Sequence, residues 1–239
     1  MKKIVLSVLG FCLFTAAFCQ TNPDWKKKTL DRSGDHLMVQ FTYDSWGGAP
    51  DSIKNRISGF SRGAGISLML AKPFKSDPRW SIAFGLGINA SNIFFKKTSV
   101  DVKANTVKLP FRNLDTLDHF KKYKLVTTFV EVPLELRYVL NPEKEDKSFK
   151  VAIGAKIGLL LDAHTKGKTL QNKAGTTINA YKIKEKENTF FNSSRIVATA
   201  RVGLGHFSLV ANYQITALIK DVAGPSIRPY QIGLCISGL

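Results

Sequence analysis

The chain has 239 residues, 44% of them hydrophobic and 22% charged, a composition that excludes a disordered tail and suits one large or two small domains. With 35 Lys and Arg against 18 Asp and Glu the net charge is +17, so nucleic acid, lipopolysaccharide and acidic surfaces all come into view as partners. Charge alone does not choose among them.

The chain opens with Lys2 and Lys3, an apolar run from Ile4 to about Phe18, and Ala17-Phe18-Cys19 ahead of Gln20. That pattern predicts a cleavable secretory signal over residues 1–19 and a mature start at Gln20. Acylation of Cys19 is the alternative, and the bulk of Phe18 counts against it. The run is shorter than the roughly 20 residues a membrane helix needs, and no later segment approaches that length. Cleavage leaves 33 basic against 18 acidic residues, a net charge of +15, and removes Cys12 and Cys19. Cys235 then has no intramolecular partner, so stability has to come from extensive sheet or a lipid environment.

A short periplasmic lead is expected over 20–34, and from 35 to 239 the chain alternates with a period of two. Leu37, Val39, Phe41 and Tyr43 oppose Gln40, Thr42 and Asp44. Ile66, Leu68 and Leu70 repeat the pattern, and Trp80, Ile82, Phe84, Leu86 and Ile88 oppose Ser81, Ala83, Gly85, Gly87 and Asn89. A fourth segment sets Val130, Val132, Leu134, Leu136 and Tyr138 against Glu131, Glu135 and Arg137. In the fifth, Phe149 through Leu161 at odd numbers oppose Lys150, Lys156, Asp162 and His164. The sixth sets Ile196 to Leu204 against Arg195, Thr199 and Arg201. The seventh sets Phe207 to Ile215 against Ser208, Asn212 and Gln214, and the last sets Tyr230 to Ile236 against Gln231, Gly233, Cys235 and Ser237. Eight strands of about 9–16 residues are predicted.

Two closed barrels fit such a pattern, one with the apolar face inside and one with it in lipid. An eight-stranded interior is narrow, so the face carrying Gly85, Gly87, Gly154, Gly158, Gly203 and Gly233 belongs inside and the bulky face meets lipid. The expected fold class is all-β: an eight-stranded antiparallel transmembrane β-barrel, an up-and-down meander. Short connections at 72–79, 141–147 and Gly205-His206 alternate with long ones, the habit of outer-membrane barrels with both termini in the periplasm. Trp80, Tyr138, Phe149 and Phe207 are expected at the periplasmic rim, and Tyr43, Trp46, Tyr213 and Tyr230 at the outer rim, as aromatic girdles. Pro133 conflicts with a closed barrel, which has no edge strand, and calls for a bulge or a lumen water.

The runs FVEVPLELRY (129–138), KVAIGAKIGLLLDAHTKGK (150–168), RVGLGHFSLVANYQIT (201–216) and GPSIRPYQIGL (224–234) resemble the PorT-like outer-membrane β-barrel proteins of the Bacteroidota. GFSRGAGISLMLAKPF (59–74) and WSIAFGLGINASNIFF (80–95) fit as well, and the chain departs at its end, Ile236-Ser237-Gly238-Leu239, which lacks a terminal aromatic. The resemblance implies the same barrel but no activity. The name-giving member is associated with a gliding and secretion apparatus, and fold does not transfer that role.

No phosphate loop, zinc-ligand spacing or nucleophile elbow is present, and His36, His119, His164 and His206 are scattered, so neither a cofactor nor a metal is expected. The weak catalytic candidates are Asp162 and His164, read as sharing an inward face, with Ser91 or Ser194 as a conceivable nucleophile for acyl chemistry on lipid A. Glu131, Glu135, Arg137, Lys150, Lys156 and Arg201 are expected to form a lumen charge network, the two glutamates facing the two lysines. Two basic loops, one with Lys96, Lys97, Lys103, Lys108, Arg112, Lys121 and Lys122, the other with Lys166, Lys168, Lys173, Lys182, Lys184 and Lys186, point to outer-membrane lipid and lipopolysaccharide phosphates rather than nucleic acid. Protein partners are not named by the sequence. The functional expectation is a structural, anchoring or interaction role without catalysis; a lipid-A-modifying enzyme and a small passive pore are the alternatives.

Overall fold

A sheet with one greasy and one charged face can sit in lipid only if it closes, because an open edge would leave backbone groups without partners in hydrocarbon. The computed structural model describes residues 36–238 and shows that closure; the expected signal peptide (1–19) and lead (20–34) lie outside those residues. Eight antiparallel strands form the wall: β1 (Leu37–Gly47), β2 (Arg62–Pro73), β3 (Trp80–Phe95), β6 (His119–Val139), β7 (Phe149–Gln171), β9 (Ser194–Leu204), β10 (Phe207–Gln214) and β11 (Arg228–Ser237). Each pairs with its sequence neighbours in the wall, and β1 closes the ring on β11 with Val39 opposite Ile236. The remaining strands, β4 (Thr98–Val100), β5 (Phe111–Asn113) and β8 (Thr177–Lys186), belong to the connections, as does the four-residue helix α1 (Asp51–Lys54).

The apolar face points out, with Leu68 64% and Ile157 62% exposed, as a lipid-facing band requires. The glycine face points in and lets the strands coil tightly. A Cβ at Gly154 would stand 2.1 Å from the Leu134 carbonyl oxygen, and one at Gly233 2.0 Å from that of Phe41. The short connections gather at one end, the turn end, where Gly205 has a φ of +56° in the two-residue hairpin before His206. Glycine is the residue that enters such a turn without strain. The long connections gather at the other, the loop end.

Polarity inverts along the same strands. In β6, Val132 and Leu134 are exposed outward while Glu131 and Glu135 are buried inward; nearer the loop end, Tyr123 and Leu125 are buried inside and Lys122 and Lys124 face out. Tyr123 and Leu125 join Trp46, Phe95, Val100, Leu109, Phe190, Ile219 and Ile227 in an apolar core that caps the barrel from the loop side. A smaller apolar cluster, Met38, Met69, Ala83, Val210 and Cys235, lies inside toward the turn end.

Three expectations need correction here. β6 and β7 run 21 and 23 residues rather than at most 16, and β7 continues through a turn at 172–176 into β8, so much of what reads as loop is paired strand. Trp46 is 2% exposed and packs edge-on against Phe95 and Phe111 inside the cap; it is no girdle residue, because β1 points its even-numbered side chains inward. Tyr43, Trp80, Phe149, Phe207 and Tyr213 are exposed on the outward face, with the Trp80 and Tyr138 rings 5.0 Å apart at the turn end. Pro133 has no bulge. It pairs with Lys156 of β7, while the β3–β6 ladder skips Val132 and Pro133 and resumes at Glu131 opposite Gly87 without a change of register. The missing N–H thus falls in a local gap of one ladder.

Candidate functional site

Inside the band, small residues on β7 decide which long side chains meet. Gly158 lies between Glu131 of β6 and Arg195 of β9 in one cross-strand row, and its missing side chain leaves the space through which they touch. The Arg195 guanidinium donates to Glu131 Oε1 from Nε at 3.0 Å and Nη2 at 2.5 Å, donates to Asn89 Oδ1 at 3.2 Å and stacks 3.8 Å from the Phe129 ring centroid. Toward the turn end, Glu135 accepts from Arg137 Nε at 2.9 Å and from Arg201 Nη2 at 3.1 Å. Lys156 Nζ donates to Gln40 Oε1 at 3.4 Å, and buried Lys150 lines a void of about 10 Å³ with Arg137, Arg201 and Ser208.

All six residues of the expected network therefore point into the lumen, where Glu131 pairs with Arg195, and Glu135 with Arg137 and Arg201. Glu131 and Glu135 stand opposite Gly158 and Gly154, not Lys156 and Lys150. Arg195, on the inward face of its alternating segment, is the member that sequence reasoning passed over. Nearer the loop end, Asp44 accepts hydrogen bonds from Thr42 at 2.5 Å, from Gln231 at 2.9 Å and from the Ser91 hydroxyl.

Asp162 and His164 do meet, Nδ1 to Oδ2 at 2.5 Å, and Lys186 Nζ reaches the other carboxylate oxygen at 2.8 Å. They do so on the outward face. The β6–β7 register shifts between Thr128 and Phe129, leaving Leu161 as the extra residue, so beyond it β7 buries Ala163 and Thr165 and turns Asp162 and His164 out. Ser91, inside and bonded to Asp44, is on the other side of the wall. His36, His119 and His206 bond the carbonyls of Met69, Leu117 and Ser237. Among the described residues no three His, Cys, Asp or Glu side chains converge as a metal site requires.

A cleft of about 810 Å³ opens at the loop end, between the first connection, the β3 end and the start of β6. Arg56, Arg62, Lys96, Lys97, Lys121 and Lys122 line it beside Phe60, Phe94 and Phe120, with Asp115 the lone carboxylate in the lining. Arg56 grips Asp115 through both oxygens, one bond at 2.6 Å, and that grip, with help from Asn113 and Lys97, holds the Asp115 carboxyl down to about 2. None of the other five cations is in an ion pair among the described residues. The Arg62 guanidinium lies 5.4 Å from the Phe60 ring centroid and 5.6 Å from that of Phe94. Four of the cleft lysines were legible as basic loop residues. Arg56, Arg62 and the aromatic rings were not, although Arg62 continues the outward parity of Ile66, Leu68 and Leu70.

No curated protein matches the chain. Among solved structures it is similar to Ail, the attachment invasion locus protein of Yersinia pestis: in complex with the heparin analogue sucrose octasulfate, at 12% identity and a TM-score of 0.34, and without it, at 10% and 0.32. Each likeness covers 85% of this chain and 97% of the other. Residues 36–218, which hold seven of the eight wall strands, match the outer membrane protein beta-barrel domain, and the chain belongs to that family of outer-membrane β-barrels.

Proposed function

We propose that this barrel is a non-catalytic anchoring or interaction protein, with its loop end at the cell surface, both termini in the periplasm, and a basic head that engages anionic groups of the outer membrane, lipopolysaccharide phosphates among them. Within its family we group it with the PorT-like barrels of the Bacteroidota, on the strength of the 129–138, 150–168, 201–216 and 224–234 segments. The observation that carries the reading is the cleft, in which five cations without carboxylate partners surround aromatic rings that offer an apolar floor. Cofactor and nucleic acid have no part in it.

Cys placed at Lys103 or Lys173 is expected to label from outside intact cells, and Cys at Glu145 is not; the reverse pattern inverts the orientation. Chain extracted in mild detergent is expected to bring down an anionic surface component or a protein complex that the triple substitution Arg62→Gln, Lys97→Gln, Lys121→Gln releases. Identical composition with and without the substitutions refutes the role of the cleft. Against acyl chemistry stand the barrel wall between His164 and Ser91, and the place of the other candidate nucleophile, Ser194, opposite Leu159 and so five residues down β7 from His164. Lipid A mass spectra that change on deletion of the gene would revive it.

A further inference from the structure

A second basic surface lies on the side of the wall that faces lipid and meets the cleft at Lys122. Beyond the bulge, β6, β7 and β8 turn matching residues outward, and the register sets Lys124 beside Lys166 and Lys166 beside Lys184 in one row. The next row sets Lys122 beside Lys168 and Lys168 beside Lys182. Directly opposed residues of antiparallel strands have Cα atoms only about 4.5–5.5 Å apart. The result is a lattice of two rows and three columns of ammonium groups, with four like-charge pairs of the kind that destabilises a sheet. None of the six is in an ion pair among the described residues; Lys124 donates to Asn92 Oδ1 at 2.6 Å and lies 5.5 Å from the Phe94 ring centroid.

Edge protection accounts for part of this. β8 pairs only with β7 among the described strands, and lysine blunts an open edge. That leaves Lys124, Lys166 and Lys168, which sit on strands paired on both sides. Height supplies the missing reason. Lys124 is two residues past Val126 in β6 and Lys166 five past Leu161 in β7, which at about 3.4 Å per residue and a tilt of about 40° is roughly 5–13 Å along the barrel axis. The headgroup layer begins there, and lysine stems can bend down into it.

We propose that this lattice binds the phosphates of a phosphorylated glycolipid of the outer leaflet, a lipid A headgroup, with its acyl chains on the apolar band beneath. The assignment rests on the orientation given above. A soluble polyanion would meet the charges alone, whereas a lipid satisfies the lysines and the exposed Leu159, Leu161 and Val132 in one molecule.

The test uses the full mature chain in detergent, with diphosphoryl lipid A and its dephosphorylated form as probes in mixed micelles. Wild type is expected to bind the diphosphoryl form about tenfold or more tightly than the dephosphorylated one, read by native mass spectrometry and by the shift of thermal unfolding. Lys124→Gln, Lys166→Gln, Lys168→Gln and Lys184→Gln together should abolish that preference, and Arg at the same four positions should keep it. The double substitution Lys166→Gln, Lys168→Gln, expected to weaken the preference, serves if the fourfold variant does not fold. If the triple cleft substitution, and not the Gln variants of the lattice, removes the preference, lipid A belongs to the cleft and this proposal falls; release of the co-purifying component by the cleft variant, with the preference kept, bears on the cleft reading alone. A preference that survives the Gln variants, no preference in wild type, or equal binding of a soluble polyphosphate at the same phosphate concentration overturns the proposal.

Discussion

Glu131 and Arg195 hold one another through two hydrogen bonds in a space that Gly158 leaves open. Removing one partner of a buried pair strands the other, at about 3–5 kcal/mol, whereas an exposed pair contributes about 0–1 kcal/mol. Glu131→Ala is therefore expected to lower stability by that larger amount in urea unfolding of the folded barrel in lipid vesicles. Arg195→Ala added to it should recover part of the loss, and Lys156→Ala added instead should recover less, because Lys156 bonds Gln40 and meets Glu131 only through space. Equal recovery by the two double variants would contradict the pairing. The inward placement of Glu131 was legible from alternation, since Val130 and Val132 flank it; its partner was not. Partner choice depends on the register of β6, β7 and β9 and on which of them carries glycine in the shared row, and neither is written in one strand's pattern.

At the scale of elements, strand order and the facing of the membrane-level residues follow from the alternation, while the slip in β7 does not. Leu159, Leu160 and Leu161 read equally well in either parity, so three like residues hide the bulge that reverses Asp162 and His164. The β7–β8 hairpin was equally hidden, because every described residue of β8 is exposed except Glu185, which is half-buried, and a strand wet on both faces has no apolar period. Such a hairpin adds little to a barrel whose apolar band ends near Leu161. Replacing residues 168–182 by an Asn-Gly turn that joins Gly167 to Ile183 should leave a barrel that still resists unfolding in cold detergent and migrates faster on gels until heated. Its unfolding midpoint in urea should fall only slightly. Loss of the heat-dependent migration would mean that the hairpin is needed to assemble the wall.

For the whole molecule, the reversal of polarity along β6 and β7 marks where lipid ends and water begins, and it also closes the barrel twice. At membrane level the interior is filled by the Glu135–Arg137–Arg201 and Glu131–Arg195 contacts, and the two voids against them hold about 10 Å³ each, roughly the space of one water. Toward the loop end, Trp46, Phe95, Phe191 and their neighbours form a dry core across the interior. An eight-stranded interior is just wide enough for side chains to fill, so both layers stand against an ion path. Reconstituted into planar bilayers, the protein should give no discrete openings. Trp46→Ala with Phe95→Ala should loosen the cap and lower stability yet leave the bilayer silent, since the charged layer beneath it is untouched. Steady unitary currents from wild type would show that the lumen rearranges, and currents from the cap variant alone would show that the charged layer is no barrier.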